Sequence, residues 1–228
     1  MVKMRDVLVL KITGKAFDEG SILISRYVKL LKSMVSEYRL IVITGGGNTA
    51  RKYISDARSL GISSNYWLDL IGIWVSRLNS LLITSSLQPY AYPKPAVNLE
   101  EVLEALSSHR VVAMGGLIPG QSTASTAIEV VEAVGAEKLY YFSAVGYVYD
   151  RDPAKYPDAK PLREVNASLL KKILEQKQLP GEYALIDEKA LDLAIRSKIL
   201  VQLISYREPE KLLDALRGEN PGSLIHPA

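Results

Sequence analysis

Arg39-Leu40-Ile41-Val42-Ile43-Thr44, followed at once by Gly45-Gly46-Gly47-Asn48-Thr49-Ala50-Arg51, decides how this chain is read. The first six residues are a β-branched and leucine-rich run, the pattern of a strand buried on both faces. Three glycines close it. Asn48 stands where a helix N-cap would be, and Thr49–Leu60 reads as a helix. A tight strand–helix turn needs only one glycine. Three of them before a helix offer backbone amides to an anion, and Arg51 in the first turn adds a planar fork suited to phosphate. The run also fits a relaxed dinucleotide pattern, G-x-G-x-x-A, with Asp69 about 20 residues further on. Asp69 falls in an apolar helix, however, and the glycines follow the second strand rather than the first. That pattern alone is a weak signal.

The same alternation extends outward in both directions. Asp6–Ile12 reads as a strand ended by Gly14, and Ile22–Tyr38 as a helix. Beyond the glycines come an apolar helix at Trp67–Leu82, a proline-bearing loop at Gln88–Asn98, a short helix at Leu99–Leu106 and a strand at Arg110–Met114. Gly115–Gln121 is a turn, and Ser122 caps a helix running to Val134. Leu139–Phe142 and Ile199–Ile204 read as strands, Asp150–Pro161 as a polar loop, and Asn166–Gln176, Asp187–Ser197 and Glu208–Leu216 as helices. Ser223–Ile225 is a possible last strand. Strands alternating with helices predict an α/β fold with a mostly parallel sheet covered on both faces. With 228 residues and no internal repeat or linker, a single domain with two lobes around a cleft is expected.

Composition removes several kinds of chemistry. The chain has no cysteine, which excludes disulfides, thiolate metal sites and cysteine nucleophiles. Its only histidines are His109 and His226, too few for a multi-histidine metal site. A net charge of +3 suits a phosphorylated small molecule but is too weak to argue for nucleic acid. The N-terminal run is broken at Lys11 and lacks the marks of a signal peptide. The longest apolar stretch, Tyr66–Ile83, is interrupted by Asp69 and Arg77, so a buried or interface helix explains it better than a membrane span. A cytoplasmic protein with no membrane partner is expected.

In open parallel sheets ligands bind at the carboxyl ends of the strands, so the loops there carry the chemistry. Lys11-Ile12-Thr13-Gly14-Lys15 sets two lysines around a hydroxyl and a glycine, although Val9 rules out a P-loop. Lys11 interrupts an apolar strand and needs a partner. Gly115-Gly116-Leu117-Ile118-Pro119-Gly120-Gln121-Ser122-Thr123 repeats the strand, glycine loop and helix start, now with two hydroxyls at the cap. Tyr149-Asp150-Arg151-Asp152-Pro153 places two acids in a loop that could face a nucleotide or simply solvent. Asp69, among Trp67, Leu68, Leu70, Ile71 and Trp74, needs a donor; a ligand hydroxyl and an arginine are equal candidates.

Taken together, K-x-T-G-K, G-G-G-x-x-x-R, Asp69 before Leu-Ile-Gly-Ile-Trp, and G-G-x-x-P-G-Q-S-T resemble the amino-acid-kinase superfamily, and within it the archaeal type of UMP kinase. The likeness runs from Val7 to about Ile225. It implies a three-layer α/β/α sandwich that transfers the ATP γ-phosphoryl group to UMP, giving UDP, with Mg²⁺, in pyrimidine nucleotide biosynthesis. Carried over by position, it implies that residues 1–134 form an acceptor lobe and 135–228 an ATP lobe. Lys11, Thr13, Gly14 and Lys15, with Ile12 between them, would hold ATP phosphates. Gly47 and Arg51 would lie near the transferring phosphate. Lys11, Lys15 and Arg51 would be catalytic. Gly46 and Asp69 would contact UMP, enclosed by Gly116, Leu117, Ile118, Pro119, Gly120, Gln121, Ser122 and Thr123. Ser143, Tyr149 and Asp152 would line the ATP base and ribose pocket. No protein-held metal is implied. Members assemble as hexamers built from three dimers, and the Trp67–Leu82 helix suits such an interface.

One segment departs from the family pattern. Where this type reads T-N-V-D-G-V-Y, the chain reads Ser143-Ala144-Val145-Gly146-Tyr147-Val148-Tyr149. An amide and a carboxylate are gone and a ring is gained. This motivates the reading of a non-catalytic nucleotide-binding homologue. The range of acceptors in the superfamily, which also includes carboxylates, carbamate and isoprenoid phosphates, separately leaves open a same-fold kinase for another small acceptor. Bacterial members also carry an Asp where this chain has Ala124.

Overall fold

The computed structural model describes residues 6–151, 156–176 and 186–227. In chain order the elements are β1 (Val7–Ile12), α1 (Lys15–Asp18), α2 (Ser21–Met34), β2 (Arg39–Thr44), α3 (Gly47–Ser59), α4 (Asn65–Ser86), α5 (Leu99–Ser108), β3 (Val111–Met114), α6 (Thr123–Ala133) and β4 (Lys138–Ser143). They continue with β5 (Val148–Tyr149), β6 (Pro161–Leu162), β7 (Glu164–Asn166), α7 (Ala167–Gln176), α8 (Glu188–Arg196), β8 (Leu200–Ser205), a 3-10 turn at Pro209–Lys211, α9 (Leu212–Leu216) and β9 (Leu224–His226).

A seven-stranded sheet has the order β3-β2-β1-β4-β8-β9-β7. From β3 through β8 every neighbouring pair is parallel; β9 runs antiparallel to β8. The register pairs Ile12 with Thr44 and Phe142, Ile43 with Met114, and Ser143 with Ser205. The carboxyl ends of five strands therefore line up along one edge. That alignment places the loops singled out above side by side.

The strands are buried on both faces, and alternate residues feed two separate cores. Val7, Val9, Ile41, Ile43, Val112, Met114, Leu139 and Tyr141 pack with α5, α6 and α8 on one side. Leu8, Leu10, Ile12, Leu40, Val42, Val111, Ala113, Tyr140 and Phe142 pack with α2, the end of α4 and α9 on the other. Two helical layers around one sheet make the three-layer α/β/α sandwich. Each fully buried aliphatic side chain contributes roughly 1.5–3 kcal/mol relative to exposure.

The differences from the sequence reading are local. Asn48 is not the N-cap of its helix. The helix starts at Gly47, with Gly46 as cap and no side-chain cap bond. The carboxylate arrives from another element: Asp18 Oδ2 accepts the Asn48 amide at 2.8 Å. The four-residue helix α1 went unread because a single turn shows no periodicity. The apolar helix is longer than Trp67–Leu82, since its ends are polar and carry no hydrophobic signal. The 150–161 loop is entered and left through the small β5–β6 hairpin. The Glu208–Leu216 helix divides into a 3-10 turn and α9. Among the described residues no helix is long and apolar enough to cross a membrane. Helix α4 instead buries Leu68, Ile73, Val75 and Ile83 and leaves Trp67, Trp74, Leu78 and Leu82 more than half exposed.

Candidate active site

Two glycine loops meet back to back at the centre of the carboxyl edge. A Cβ added to Gly14 would lie 1.9 Å from the Gly47 nitrogen, and one added to Gly45 would lie 2.7 Å from the Gly14 nitrogen. Gly47 has φ +66°, and a Cβ there would meet the Gly14 carbonyl at 2.5 Å. The glycines are thus required first by the contact between the loops. Their contact has an electrostatic result. The amides of Gly14, Lys15, Gly46 and Gly47 have no hydrogen-bond partner among the described residues, whereas the flanking amides of Thr13, Gly45 and Asn48 are bonded to the Phe142 carbonyl, the Ile12 carbonyl and Asp18. Unpartnered N–H groups gathered at a helix start form an anion cradle.

Cations surround it. Lys15 and Arg51 are exposed, and no carboxylate of the described residues lies within ion-pair distance of either; Arg51 Nη1 donates to Asn48 Oδ1 at 2.8 Å. Lys11 sits within β1, only 4% exposed. The partner its burial demands is a phenol: Nζ donates to Tyr141 Oη at 3.1 Å and lies 4.2 Å from the centre of that ring. No described carboxylate pairs with it either. The site therefore presents positive charge and donors in excess, with the Asp18 carboxylate beside Gly47 committed to the Asn48 amide, which suits transfer of a phosphoryl group between phosphates.

One helix holds the Gly45 and Gly116–Gly120 loops in place. From α4, Asn79 Nδ2 donates to the Gly45 carbonyl at 2.8 Å, and Ser76 Oγ accepts the Gly116 amide at 2.8 Å. Asp69 Oδ2 accepts the Gly120 amide at 2.8 Å, so neither an arginine nor a ligand is needed to explain its place in the helix. Arg77 donates to the carbonyls of Gly116 and Leu117, both at 3.3 Å, and stacks on Trp74 at 5.4 Å. Partial burial holds its pKa below that of a free guanidinium, without threatening its charge. The close fit again requires glycine: a Cβ on Gly115 would meet Ser76 Oγ at 2.5 Å.

The Gly116–Thr123 segment then turns into α6. Gly120 has φ +76°, Ile118 and Ser122 are exposed, and Pro119 and Gln121 are half-buried. The Gln121 Oε1 atom is buried with no partner among the described residues. Ser122 caps α6 as expected, accepting the amides of Ala124 at 3.1 Å and Ser125 at 3.0 Å. Thr123 reaches the Gly45 turn: its Oγ1 would lie 3.6 Å from a Cβ placed on Gly45.

The remaining loop lies on the other side of β1, after β4. Ser143 is buried and its Oγ donates to the Val145 carbonyl. Tyr147 and Tyr149 form an edge-to-face pair 6.4 Å apart. A Cβ on Gly146 would come within 2.9 Å of the Ser205 nitrogen, and one on Gly222 within 2.4 Å of the Gly146 carbonyl. Asp152 lies outside the described residues.

The structure thus gathers Lys11, Ile12, Thr13, Gly14, Lys15, Gly46, Gly47, Arg51 and Thr123 around one junction. Ser143 directly follows Phe142, whose carbonyl accepts the Thr13 amide at 3.0 Å, so the loop after β4 starts beside that junction. The residues missed from sequence are those that position the loops: Asp18, Ser76, Arg77, Asn79 and Asp187. Arg77 carried a usable signal, a charge inside an apolar helix, and the others carried none.

A phosphate-binding α/β sandwich with this loop arrangement defines the class, and the comparison with known sequences agrees: the chain belongs to the amino acid kinase family, whose sequence model matches residues 6–205. It is 54% identical over 98% of its length to the whole of a curated protein named uridylate kinase from Staphylothermus marinus. A uridylate kinase from Sulfurisphaera tokodaii is 46% identical, covering 96% of this chain and 99% of that one. Among solved structures, uridylate kinase from Archaeoglobus fulgidus superposes with a TM-score of 0.86 at 33% identity, over 96% of this chain and 99% of the other. UMP kinase from Ureaplasma parvum shares the fold, with a TM-score of 0.80 at 19% identity over 97% of this chain and 99% of the other.

Proposed function

We propose that this protein transfers the γ-phosphoryl group of ATP to UMP, giving UDP and ADP. The observation that carries the reading is the junction of the Gly14 and Gly46–Gly47 loops. Four amides without a partner among the described residues lie there with Lys11, Lys15 and Arg51, none of which pairs with a described carboxylate; the adjacent Asp18 carboxylate is bonded to the Asn48 amide. The acceptor phosphate is already ionised at neutral pH, so no general base is required. Lys11, Lys15, Arg51 and the loop amides align two anions and stabilise the charge passing between them. Full-length identity to proteins named uridylate kinase supports UMP as acceptor over a carboxylate or carbamate, and supports turnover over a non-catalytic homologue.

In this reading Thr13, Gly14, Lys15 and Gly47 hold the donor phosphates, while Gly46, Asp69 and the Gly116–Thr123 loop enclose UMP. Asp69 acts through the Gly120 amide that it fixes. Ser143, Tyr149 and Asp152 belong to the side that receives the ATP base and ribose. Residues 1–134 and 135–228 serve as acceptor and donor lobes. Among the described residues no group of three or more acidic or histidine side chains is placed to hold a metal ion. This suits Mg²⁺ carried chiefly by the ATP phosphates, where it neutralises charge on the leaving group. The exposed Trp67, Trp74, Leu78 and Leu82 face of α4 supports self-association, with a hexamer of three dimers as the assembly we infer. A cytoplasmic place in pyrimidine nucleotide synthesis completes the proposal.

The test is direct: ATP and Mg²⁺ with UMP, dUMP, CMP and AMP offered in parallel. Rapid UDP formation is expected with UMP. A folded protein that binds UMP yet transfers nothing would overturn the reading and implicate Ala144, Gly146 and Tyr147.

A further inference from the structure

The α6 N-cap carries a feature that the reaction as described does not use. Ser122 Oγ, already accepting two α6 amides, donates its own proton to Asp187 Oδ2. The second oxygen of that carboxylate, Oδ1, accepts from Ser125 Oγ at 3.1 Å and from the Ala190 amide at 3.0 Å. Ser125 is completely buried. Asp187 is the N-cap of α8, which packs against α6.

Capping α8 needs one carboxylate oxygen. The other is committed wholly to Ser122, and Ser125 is drawn in as well. The pairing crosses 65 residues of sequence and joins the last residue of the Gly116–Ser122 loop to an element beyond β4. It also engages the Ser122 hydroxyl proton with Asp187, with Ser125 Oγ at 3.3 Å as a weaker second acceptor. Ser122 is therefore an anchor for the loop rather than a donor to its ligand. A hydrogen bond to a charged acceptor holds such an anchor more firmly than a neutral one.

We propose that Asp187 is a positioning residue for the acceptor subsite, holding the end of the Gly116–Ser122 loop through Ser122 and Ser125. The inference rests on the proposed function for its kinetic readout. The clean variant is Ser125→Ala, which leaves the Asp187–Ala190 cap and the Ser122–Asp187 bond intact; Asp187→Asn weakens the whole cluster. Asp187→Asn is expected to raise KM for UMP about fivefold to tenfold and Ser125→Ala by a smaller factor, with kcat and KM for ATP within about twofold in both. The double variant should be no worse than the poorer single one, because both break one unit. Amide exchange at residues 116–122 should quicken in both variants.

A lower Tm with unchanged KM for UMP and unchanged exchange at 116–122 would reduce Asp187 to an α8 cap and overturn the proposal. A fall in kcat alone would overturn it too, by placing Asp187 on the reacting atoms. If the unaltered protein phosphorylates no acceptor, the functional reading fails separately, and the exchange comparison still decides whether Asp187 orders the loop.

Discussion

The Gly45 and Gly116–Gly120 loops and the loop after β4 are held from different places, the first by side chains of one helix and the second by neighbouring backbone and Ser223. The Gly45 and Gly116–Gly120 segments hang from α4 through directed bonds: Asn79, Ser76, Asp69 and Arg77 each take a particular backbone group. The Ser143–Tyr149 segment is held through its own backbone: the Tyr206 amide donates to the Ser143 carbonyl at 3.0 Å, the Ser223 amide to the Gly146 carbonyl at 3.2 Å, and the Val148 amide to Ser223 Oγ at 2.9 Å, with Gly146 close against Ser205 and Gly222. Directed bonds specify atoms and so preserve a geometry residue by residue. In the segment after β4 the bonds tie backbone groups to other backbone groups and to Ser223, so they fix the path of the chain more than the identity of its side chains. The comparison explains why the acceptor motifs match the family pattern and the donor-side segment does not. It also explains why Gly146 stands where the pattern has Asp: with its Cβ position 2.9 Å from a backbone nitrogen, a carboxylate does not fit.

The largest effect is expected at the point both regions share. Lys11→Met keeps the strand packed and removes the ammonium, so kcat should fall by roughly a thousandfold or more while circular dichroism is unchanged. Near-normal turnover would remove Lys11 from the mechanism. Next come the glycines. Gly14→Ala drives a methyl into the Gly47 backbone and should cost about 3 kcal/mol or more in denaturant unfolding. Gly146→Asp, which restores the family residue, should destabilise rather than improve ATP binding. Gly20→Ala is the control: its φ is +90° with open space around it, so about 1 kcal/mol is expected. A smaller effect tests the directed bonds. Asp69→Asn should raise KM for UMP about threefold to tenfold at constant KM for ATP. Equal changes in both constants would mean that the two regions are not independently held.

The smallest effect concerns pH. Arg207 foremost, with Tyr206, holds the Glu19 carboxyl below the ordinary glutamate range, and Arg26 does the same for Glu210. Carboxylates with depressed values stabilise fully above the ordinary range and lose that contribution as pH falls through their lowered values. These pairs are exposed, so acidification should lower Tm only modestly, and Glu19→Gln with Glu210→Gln should flatten that decline. A slope unchanged by the double variant would show that the pairs add nothing.

Strands and their loops were legible because burial on both faces writes continuous apolar runs such as Arg39–Thr44, which appears in the fold with those same bounds. The phosphate loops were legible for the same reason that they are conspicuous: glycine runs and hydroxyl caps have few other uses. What supports them was not. Asp18, Ser76, Asn79 and Asp187 are ordinary polar residues whose partners lie 30 or more positions away. Asp69 was noticed for the right reason, a carboxylate in an apolar helix, yet its partner, a backbone amide in another loop, leaves no mark in composition. The Asn48 cap was misassigned because the competing carboxylate sits on the unread helix α1.

The buried ammonium of Lys11 has a wider consequence. Its phenol neighbour supplies an oxygen and a ring but no negative charge, and no carboxylate of the described residues pairs with it. Under the proposed function, the nucleotide phosphates would serve as its counter-ion as well as the reactants. Through mass action, any ligand that binds only the native state shifts the folding equilibrium toward it. The resting enzyme should therefore unfold more readily than the working one, and substrate depletion would expose it to heat and proteases before it cost any catalysis.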